Sequence, residues 1–380
     1  MAALLPFAMA GFITILTEAL PAGLLPQIGG DLGISQSLVG QMVTIYAIGS
    51  FVAAIPLTTL TRGWRRRPLL LTAIAGFAVA NIITAASSSY GLTLAARFFA
   101  GVSAGLLWAL LAGYAARMVP DHLKGRAIAV AMVGTPLALS IGIPAGTYLG
   151  IALGWRLTFG LMSVATLGLI GWTLLKVPDF AGQSAGQRLP LGKVLAIPGL
   201  KSVLIVTLAF VLACNVLYTY IAAFLALSGL ESSVDVALLG FGIAALAGIW
   251  VVGALIDRWL RELVLISTLG FALTATALAM WNGVPAVVFA GMIAWGLTFG
   301  GAATLFQTAS AKTSGDAADV AQSMIVTAWN LAIAGGGSIG GFLLQDFGAA
   351  SLPWSLLALL VPALAIAWSA RESGFPSARI

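Results

Sequence analysis

The sequence predicts an all-α membrane protein with twelve transmembrane helices in two pseudo-symmetric six-helix bundles and both termini in the cytoplasm. Three observations predict it. First, 60% of the 380 residues are hydrophobic and only 8% are charged, whereas an average soluble domain has about 25% charged residues. A soluble chain so poor in charge could not cover its surface; a chain in lipid needs no such cover. Second, apolar stretches recur along the whole length, each near the ~20 residues that a helix needs to cross a bilayer. Third, the basic residues cluster on alternate connections, as the positive-inside rule requires.

The first six spans are expected at 4–28, 37–60, 68–87, 92–117, 127–150 and 157–176. A longer polar connection follows over 177–200, with Pro178, Asp179, Gln183, Gln187, Arg188, Pro190 and Lys193. The second six are expected at 202–227, 236–256, 263–281, 286–310, 321–344 and 353–370. The domains are therefore an N-terminal bundle (1–176), a central cytoplasmic loop (177–200) and a C-terminal bundle (201–380). The apolar stretch from Ala2 to Ile28 lacks a basic leader and is too long for a cleavable signal, so it reads as the first span.

With the N-terminus inside, the cytoplasmic face receives Arg62, Arg65, Arg66 and Arg67, then Arg117, Lys124 and Arg126. It also receives Lys176, Arg188, Lys193, Lys201, Arg258, Arg261, Lys312, Arg371 and Arg379, which makes 16 of the 18 Lys and Arg. Arg156 alone lies on the opposite face, and Arg97 lies within a span. The net charge of +6 is thus explained by topology, and nucleic acid is excluded as a partner. The one cysteine, Cys214, excludes an intramolecular disulfide and a multi-cysteine zinc site; the one histidine, His122, argues against a histidine-built metal site. No metal and no cofactor is expected. A phosphate loop is missing: Gly186 and Gly192-Lys193-Val194 are spaced one residue too long, and no hydroxyl follows the lysine. The energy source is expected to be a proton gradient. Proton entry across ~100 mV supplies about 2.3 kcal/mol per charge.

Several motifs carry a family resemblance. After helix 8 the chain reads Gly253-Ala-Leu255-Ile-Asp257-Arg258-Trp-Leu-Arg261. After helix 2 a degraded copy has Thr58 for the glycine, Leu60 kept, Arg62 for the aspartate, and the basic run Arg65-Arg66-Arg67. Helix 4 has Arg97, Gly101, Ser103 and Ala104. Helix 5 has Pro136, Gly142, Pro144 and Gly146, and helix 6 opens on Gly154-Trp155-Arg156 and Phe159. Helix 1 has Thr17-Glu18 and Gly23-Leu24-Leu25-Pro26, followed by Asp31. Together these resemble the major facilitator superfamily, in its drug/proton antiporter group and arabinose-efflux-permease-like branch. The resemblance implies alternating access, a gating motif at Gly253, Asp257, Arg258 and Arg261 with Arg66 in the other copy, and an antiporter motif at Pro136, Gly142, Pro144 and Gly146.

Glu18 is the one acid well inside a predicted span. An intramembrane ionisable group is expensive and marks a functional site by default; the alternative is a structural acid satisfied by a neighbouring helix. Arg97 is the one base inside a span. Glu18 lies about 15 Å and Arg97 about 8 Å below the same membrane edge at 1.5 Å per residue, so the two are expected to act together in proton coupling. A structural arginine on backbone carbonyls is the alternative for Arg97. Tyr46, Trp108, Asn215, Tyr218, Trp295, Phe299 and Asn330 are candidates for an apolar cavity wall with a few polar anchors, or for packing and interface anchoring. Gly101/Gly105, Gly142/Gly146/Gly150, Gly296/Gly300 and Gly336/Gly340 have the small-xxx-small spacing of closely packed helices. The helix 5 and helix 11 glycines are expected where the two halves meet.

The expected function is a secondary active transporter that exports a small apolar or amphipathic compound, drug-like or sugar-like, in exchange for protons. An uptake symporter or facilitator for a sugar or metabolite is the alternative; a non-transporting sensor or an intramembrane enzyme fits less well, since no soluble signalling domain and no intramembrane catalytic pair are seen. The expected setting is a bacterial inner membrane, and the expected state a monomer.

Overall fold

The computed structural model describes residues 2–184 and 189–376. Gly186, Gln187, Arg188 and Arg379, which entered the sequence reading, lie outside the described residues. The first half contains α1 (Leu5–Gly23), α2 (Leu25–Leu32), α3 (Gln36–Leu60), α4 (Arg66–Ala86), α5 (Tyr90–Arg117), α6 (Lys124–Met132), α7 (Gly134–Leu137), α8 (Ile143–Ala152) and α9 (Trp155–Lys176). A short α10 (Leu191–Leu195) leads into α11 (Leu200–Thr219), α12 (Ile221–Ala226), α13 (Val234–Met280), α14 (Pro285–Gly300), α15 (Ala302–Ser314), α16 (Ala318–Phe347) and α17 (Leu352–Ser369).

Among the described residues, ten helical segments are long and apolar enough to cross a membrane. Two of them, Val236–Met280 at 45 residues and Pro285–Phe347 at 63, far exceed the ~20 residues of one crossing. The first bends at Trp259 (φ −122°, ψ 29°), inside the Asp257–Arg261 motif. The sequence places two spans there, and the structure joins them in one bent helix. Helix 5 is also interrupted. A π-turn at Ala138–Gly142 separates α7 from α8, directly before Pro144, whose missing N–H breaks the regular ladder.

Apolar side chains fill the interior and also cover the outer surface, which a soluble protein would keep polar. On α9 the inward face holds Thr158, Ser163, Thr166 and Thr173, while Leu157, Val164, Leu167 and Leu175 are exposed, Leu175 to 82%. The inward hydroxyls of Thr158, Ser163 and Thr166 donate to carbonyls four residues earlier. Exposed leucines on such a helix are stable in lipid and not in water.

Two compact units result: Met1–Pro190 with Gln322–Thr327, and Leu191–Ala321 with Ala328–Ile380. Their interiors repeat one another. In the first unit, a side chain at Gly101 or Gly105 would strike the carbonyls of Tyr46 and Ser50. In the second, one at Gly296 or Gly300 would strike those of Phe241 and Ala245. The shift is constant at 195 residues (241 − 46, 245 − 50, 296 − 101, 300 − 105). It also relates Thr58, Arg62 and Arg66 to Gly253, Asp257 and Arg261 (253 − 58, 257 − 62, 261 − 66). The opening helix of each unit breaks within one residue of the matching place, at Leu24 (φ −128°, ψ 23°) and at Tyr220 (φ −114°, ψ 25°), 196 residues apart (220 − 24). The chain is a structural duplication whose close glycine contacts have been kept.

The remaining glycine ladders are used within each unit. Gly142, Gly146 and Gly150 take the side chains of Phe12, Leu20 and Leu24 from the opening helix. Gly336 lies against Asn215, and Gly340 against Tyr220, whose hydroxyl donates to the Gly337 carbonyl (2.7 Å).

Candidate functional site

One turn of α1, from Thr14 to Glu18, collects buried polar groups from three other helices. The Tyr46 hydroxyl, from α3, donates to the Thr14 carbonyl (3.2 Å). Asn81 Nδ2, from α4, donates to Thr17 Oγ1 (3.1 Å). Arg97, from α5, donates through Nη2 to the Glu18 carbonyl (3.1 Å) and through Nε to the Met42 carbonyl (3.4 Å). Its guanidinium also lies 5.0 Å over the Tyr46 ring, a desolvated cation–π contact. Thr14, Thr17, Asn81 and Arg97 are fully buried, and Tyr46 nearly so. The Gly101/Gly105 contacts set this register: they bring α5 onto α3 at Tyr46, one turn from Arg97.

Glu18 and Arg97 therefore meet, but through the main chain. The Glu18 carboxylate is half-buried and makes no hydrogen bond or ion pair with any described residue. Arg97 is held instead by carbonyls and an aromatic face, so it stays in place whatever the protonation state of Glu18. A carboxyl beside a fixed cation but not locked to it can gain and lose a proton without dismantling the site.

The second unit is built differently. Phe210, Phe241, Phe271, Trp295, Phe299 and Phe306 form one aromatic cluster. Phe210 stacks on Phe299 (6.0 Å, 9°), and Phe271 on Trp295 (5.8 Å, 12°). Phe241 meets Trp295 edge-on at 4.9 Å. Trp295 is fully buried and Phe299 half-buried. Tyr218, 42% exposed, leans on Phe241 and Trp295, and Trp329 on Phe299. Asn215 donates to the Val211 carbonyl of its own helix (2.8 Å), and Asn330 is half-buried on α16. In the first unit, Trp108 packs its ring edge against Gly11. Of the seven candidate cavity residues, the structure thus brings Tyr218, Trp295 and Phe299 together, and puts Tyr46 at the Glu18 turn, Trp108 against Gly11 and Asn215 against Gly336.

At the motif loops, Arg261 is buried and donates to the carbonyls of Ala367 (3.1 Å), Phe375 (3.2 Å) and Trp368 (2.7 Å). It caps the carbonyl end of α17, where a cation also complements the helix dipole. Gly253 and Asp257 are half-buried, and Arg258 is exposed. In the degraded copy, Arg66 is buried and donates to the Arg62 carbonyl (3.3 Å), while Arg62 donates to the Leu189 carbonyl. An acid reaches this loop from elsewhere: Asp179, after α9, accepts from Arg65 Nε and from the Arg67 amide (2.9 Å). Burial opposes ionisation of Asp179, but these two donors outweigh it and hold its carboxyl below the ordinary value. Pro178 and Phe180 complete the attachment, the first through the Tyr114 hydroxyl (2.7 Å), the second through the Arg66 amide (2.9 Å).

At the opposite end, the helix 6 motif is a clamp. Trp155 Nε1 donates to Asp31 Oδ2 (2.9 Å), Arg156 pairs with the same carboxylate, and Arg156 also donates to the Ser87 carbonyl (3.0 Å). Pro136, Gly142, Pro144 and Gly146 line up along α7 and α8 beside α1.

Sequence reasoning missed Asn81, Asp179 and four phenylalanines of the aromatic cluster, Phe210, Phe241, Phe271 and Phe306. Asn81 had a signal: it is the one amide in the span predicted at 68–87. The phenylalanines had none, because in a membrane chain they look like lipid-facing residues.

Comparison with known proteins agrees with this architecture. Residues 7–336 match the family model described as Major Facilitator Superfamily. A purine ribonucleoside efflux pump of Shigella sonnei is 28% identical over 355 residues, covering 93% of this chain and 90% of that protein. A chloramphenicol efflux pump of Mycobacterium tuberculosis is 30% identical over 352 residues, covering 89% and 84%. Among solved structures, a proton:xylose symporter superposes with a TM-score of 0.78 at 16% identity, covering 97% of this chain and 94% of that one. The E. coli fucose:proton symporter superposes with a TM-score of 0.77 at 15% identity, covering 98% and 99%. At these identities the structural likeness concerns the fold.

Proposed function

The chain belongs to the major facilitator superfamily, a transporter and not an enzyme, and on that premise we propose that it exports a small amphipathic organic compound in exchange for protons. It crosses the membrane of a bacterial cell twelve times, as a monomer, with both termini and the basic loops inside. The two longest helical segments each supply two of those crossings. The observation that carries the proposal is the turn at Glu18. A carboxyl free of ion pairs sits beside a cation that is fixed by carbonyls, so proton loading can alternate while the fold stays intact. Export is supported by the efflux pumps among its relatives. The aromatic cluster suits substrates that carry a ring, since stacked or edge-on rings contribute about 0.5–1.5 kcal/mol beyond their buried area.

Coupling follows from linkage. If substrate binds better to the deprotonated carrier, protonation must weaken substrate binding by the same factor. Proton entry on one side then releases substrate, and substrate entry on the other releases the proton. The test is transport in everted vesicles, with purine ribonucleosides and chloramphenicol as first probes. Accumulation that requires an outward-directed proton gradient (acidic lumen) in the everted vesicles supports antiport. Equilibration without accumulation, or cotransport down the proton gradient, contradicts it.

A further inference from the structure

The turn around Glu18 gathers more buried polar atoms than its protein neighbours can pair. Pro21 has no N–H, so the Thr17 carbonyl, four residues earlier, has lost its helical donor. Asn81 uses Nδ2 on the Thr17 hydroxyl, while its Oδ1 is buried without a protein donor. Arg97 uses Nε and Nη2 on carbonyls, while its Nη1 is buried without a protein acceptor. Both side chains are 0% exposed. Thr84, three residues after Asn81 and so on the same face of α4, also has a buried hydroxyl without a partner. One orphan acceptor and one charged donor thus lie one hydrogen bond away from consecutive residues, Thr17 and Glu18, beside a Thr17 carbonyl that lacks its regular helical donor. Buried polar groups in folded proteins are almost always paired, and ordered water pairs those that protein cannot reach.

We infer that this turn holds a buried hydration site, framed by Asn81, Arg97 and the Thr17 carbonyl, and that its water carries the proton to and from Glu18. The inference rests on the antiport reading of Glu18 and adds the route. In the loading step a proton leaves a hydronium at the site for a Glu18 carboxylate oxygen, which leaves one neutral water and a neutral carboxyl. Release reverses it. Asn81 holds the water on the side of α4, and Arg97 orients it from α5. Glu18 is faced by Arg97 from α5 and by Tyr46 from α3, whereas α4 offers only the neutral Asn81. The charged groups of α6 and α9 (Lys124, Arg126, Arg156 and Lys176) sit at helix ends, α7 has none, and Tyr148 of α8 is 72% exposed. The pH response of the site is therefore that of Glu18 with its water.

Radiolytic hydroxyl labelling of the full-length protein in nanodiscs tests the site directly. Met42 and Tyr46 are reactive side chains with 0% and 1% exposure, so they label quickly only beside bound water. We expect labelling of both in wild type and its loss in Asn81→Leu. The same variant should slow proton-coupled transport about tenfold, which equals about 1.4 kcal/mol of barrier, shift its pH profile, and raise its solvent deuterium isotope effect. Asn81→Thr, which keeps a hydroxyl, should restore most of the rate and serves as the variant should the leucine not fold. Unlabelled Met42 and Tyr46 in wild type, or labelling and pH profile unchanged in Asn81→Leu, overturn the inference. Labelling reports the water, and wild-type proton flux reports antiport, so the two readings fail separately.

Discussion

The two units share a frame and differ in what fills it. At the 195-residue shift, Tyr46 corresponds to Phe241, Arg97 to Met292 and Glu18 to Ala213 (241 − 46, 292 − 97, 213 − 18). The first unit keeps a carboxyl, a guanidinium and a phenol at positions where the second has a methyl group, a thioether and a benzene ring. The contacts that bring the Arg97 and Met292 helices onto those of Tyr46 and Phe241 are the same in both, glycine against carbonyl. The two units therefore share this glycine packing and differ in the side chains placed on it. The buried carboxyl and guanidinium lie in one unit and the aromatic cluster in the other; under the proposed antiport, proton handling would fall to the first and ring recognition to the second.

That division can be broken at several places. The largest effect is expected from Glu18→Gln, which should abolish proton-driven accumulation in vesicles while the protein stays folded. Adding Ala213→Glu to it should not restore accumulation, because no cation and no amide stand at the matching places of the second unit. Recovery there would show that the units are interchangeable. Next comes Met292→Arg, which puts a cation at a fully buried position one turn before Trp295. About 2.5–3.5 kcal/mol is the insertion cost of arginine at a helix centre, so thermal unfolding in detergent should move down sharply. Arg97→Met should unfold close to wild type, with coupling lost.

Gly101→Val and Gly296→Val test the shared frame. Each forces a side chain against a neighbouring carbonyl, and overpacking costs about 1–3 kcal/mol. The two losses should agree, and strongly unequal melting shifts would contradict a common scaffold. Phe299→Ala should raise KM for transport severalfold and leave the proton-to-substrate ratio unchanged. The smallest effect is expected at Asp179. Its carboxyl is held below the ordinary value, so its contribution is present above about pH 3.9 and is lost only as pH falls through the lower folded value. Hydrogen exchange at the Arg66 and Arg67 amides should therefore stay slow through mildly acidic pH and speed up below it, or at neutral pH in Asp179→Ala.

Much of this was legible in the sequence, for physical reasons. Apolar length is a one-dimensional signal, so the all-helical, membrane-spanning character of the chain could be read directly. A buried acid in a membrane span is costly, and Glu18 stood out for that reason. The contact with Arg97 was foreseen from depth, but its form was not: whether a guanidinium binds a carboxylate or a carbonyl depends on rotamers and on where Tyr46 and Met42 stand. That Gly142, Gly146 and Gly150 are filled from α1 could not be read, because the spacing shows that a helix packs closely and not against which partner. Asp179 could not be found by motif, since it reaches the degraded loop from more than 110 residues away in the chain.

The central claim is that Glu18 exchanges its proton for substrate. The most direct measurement is proton release on adding chloramphenicol or a purine ribonucleoside to purified protein in weakly buffered detergent, followed with a pH indicator. The account predicts about one proton released per bound substrate in wild type, none in Glu18→Gln, and tighter substrate binding to wild type as pH rises. Substrate binding that releases no proton in wild type, or releases the same amount in Glu18→Gln, would contradict it.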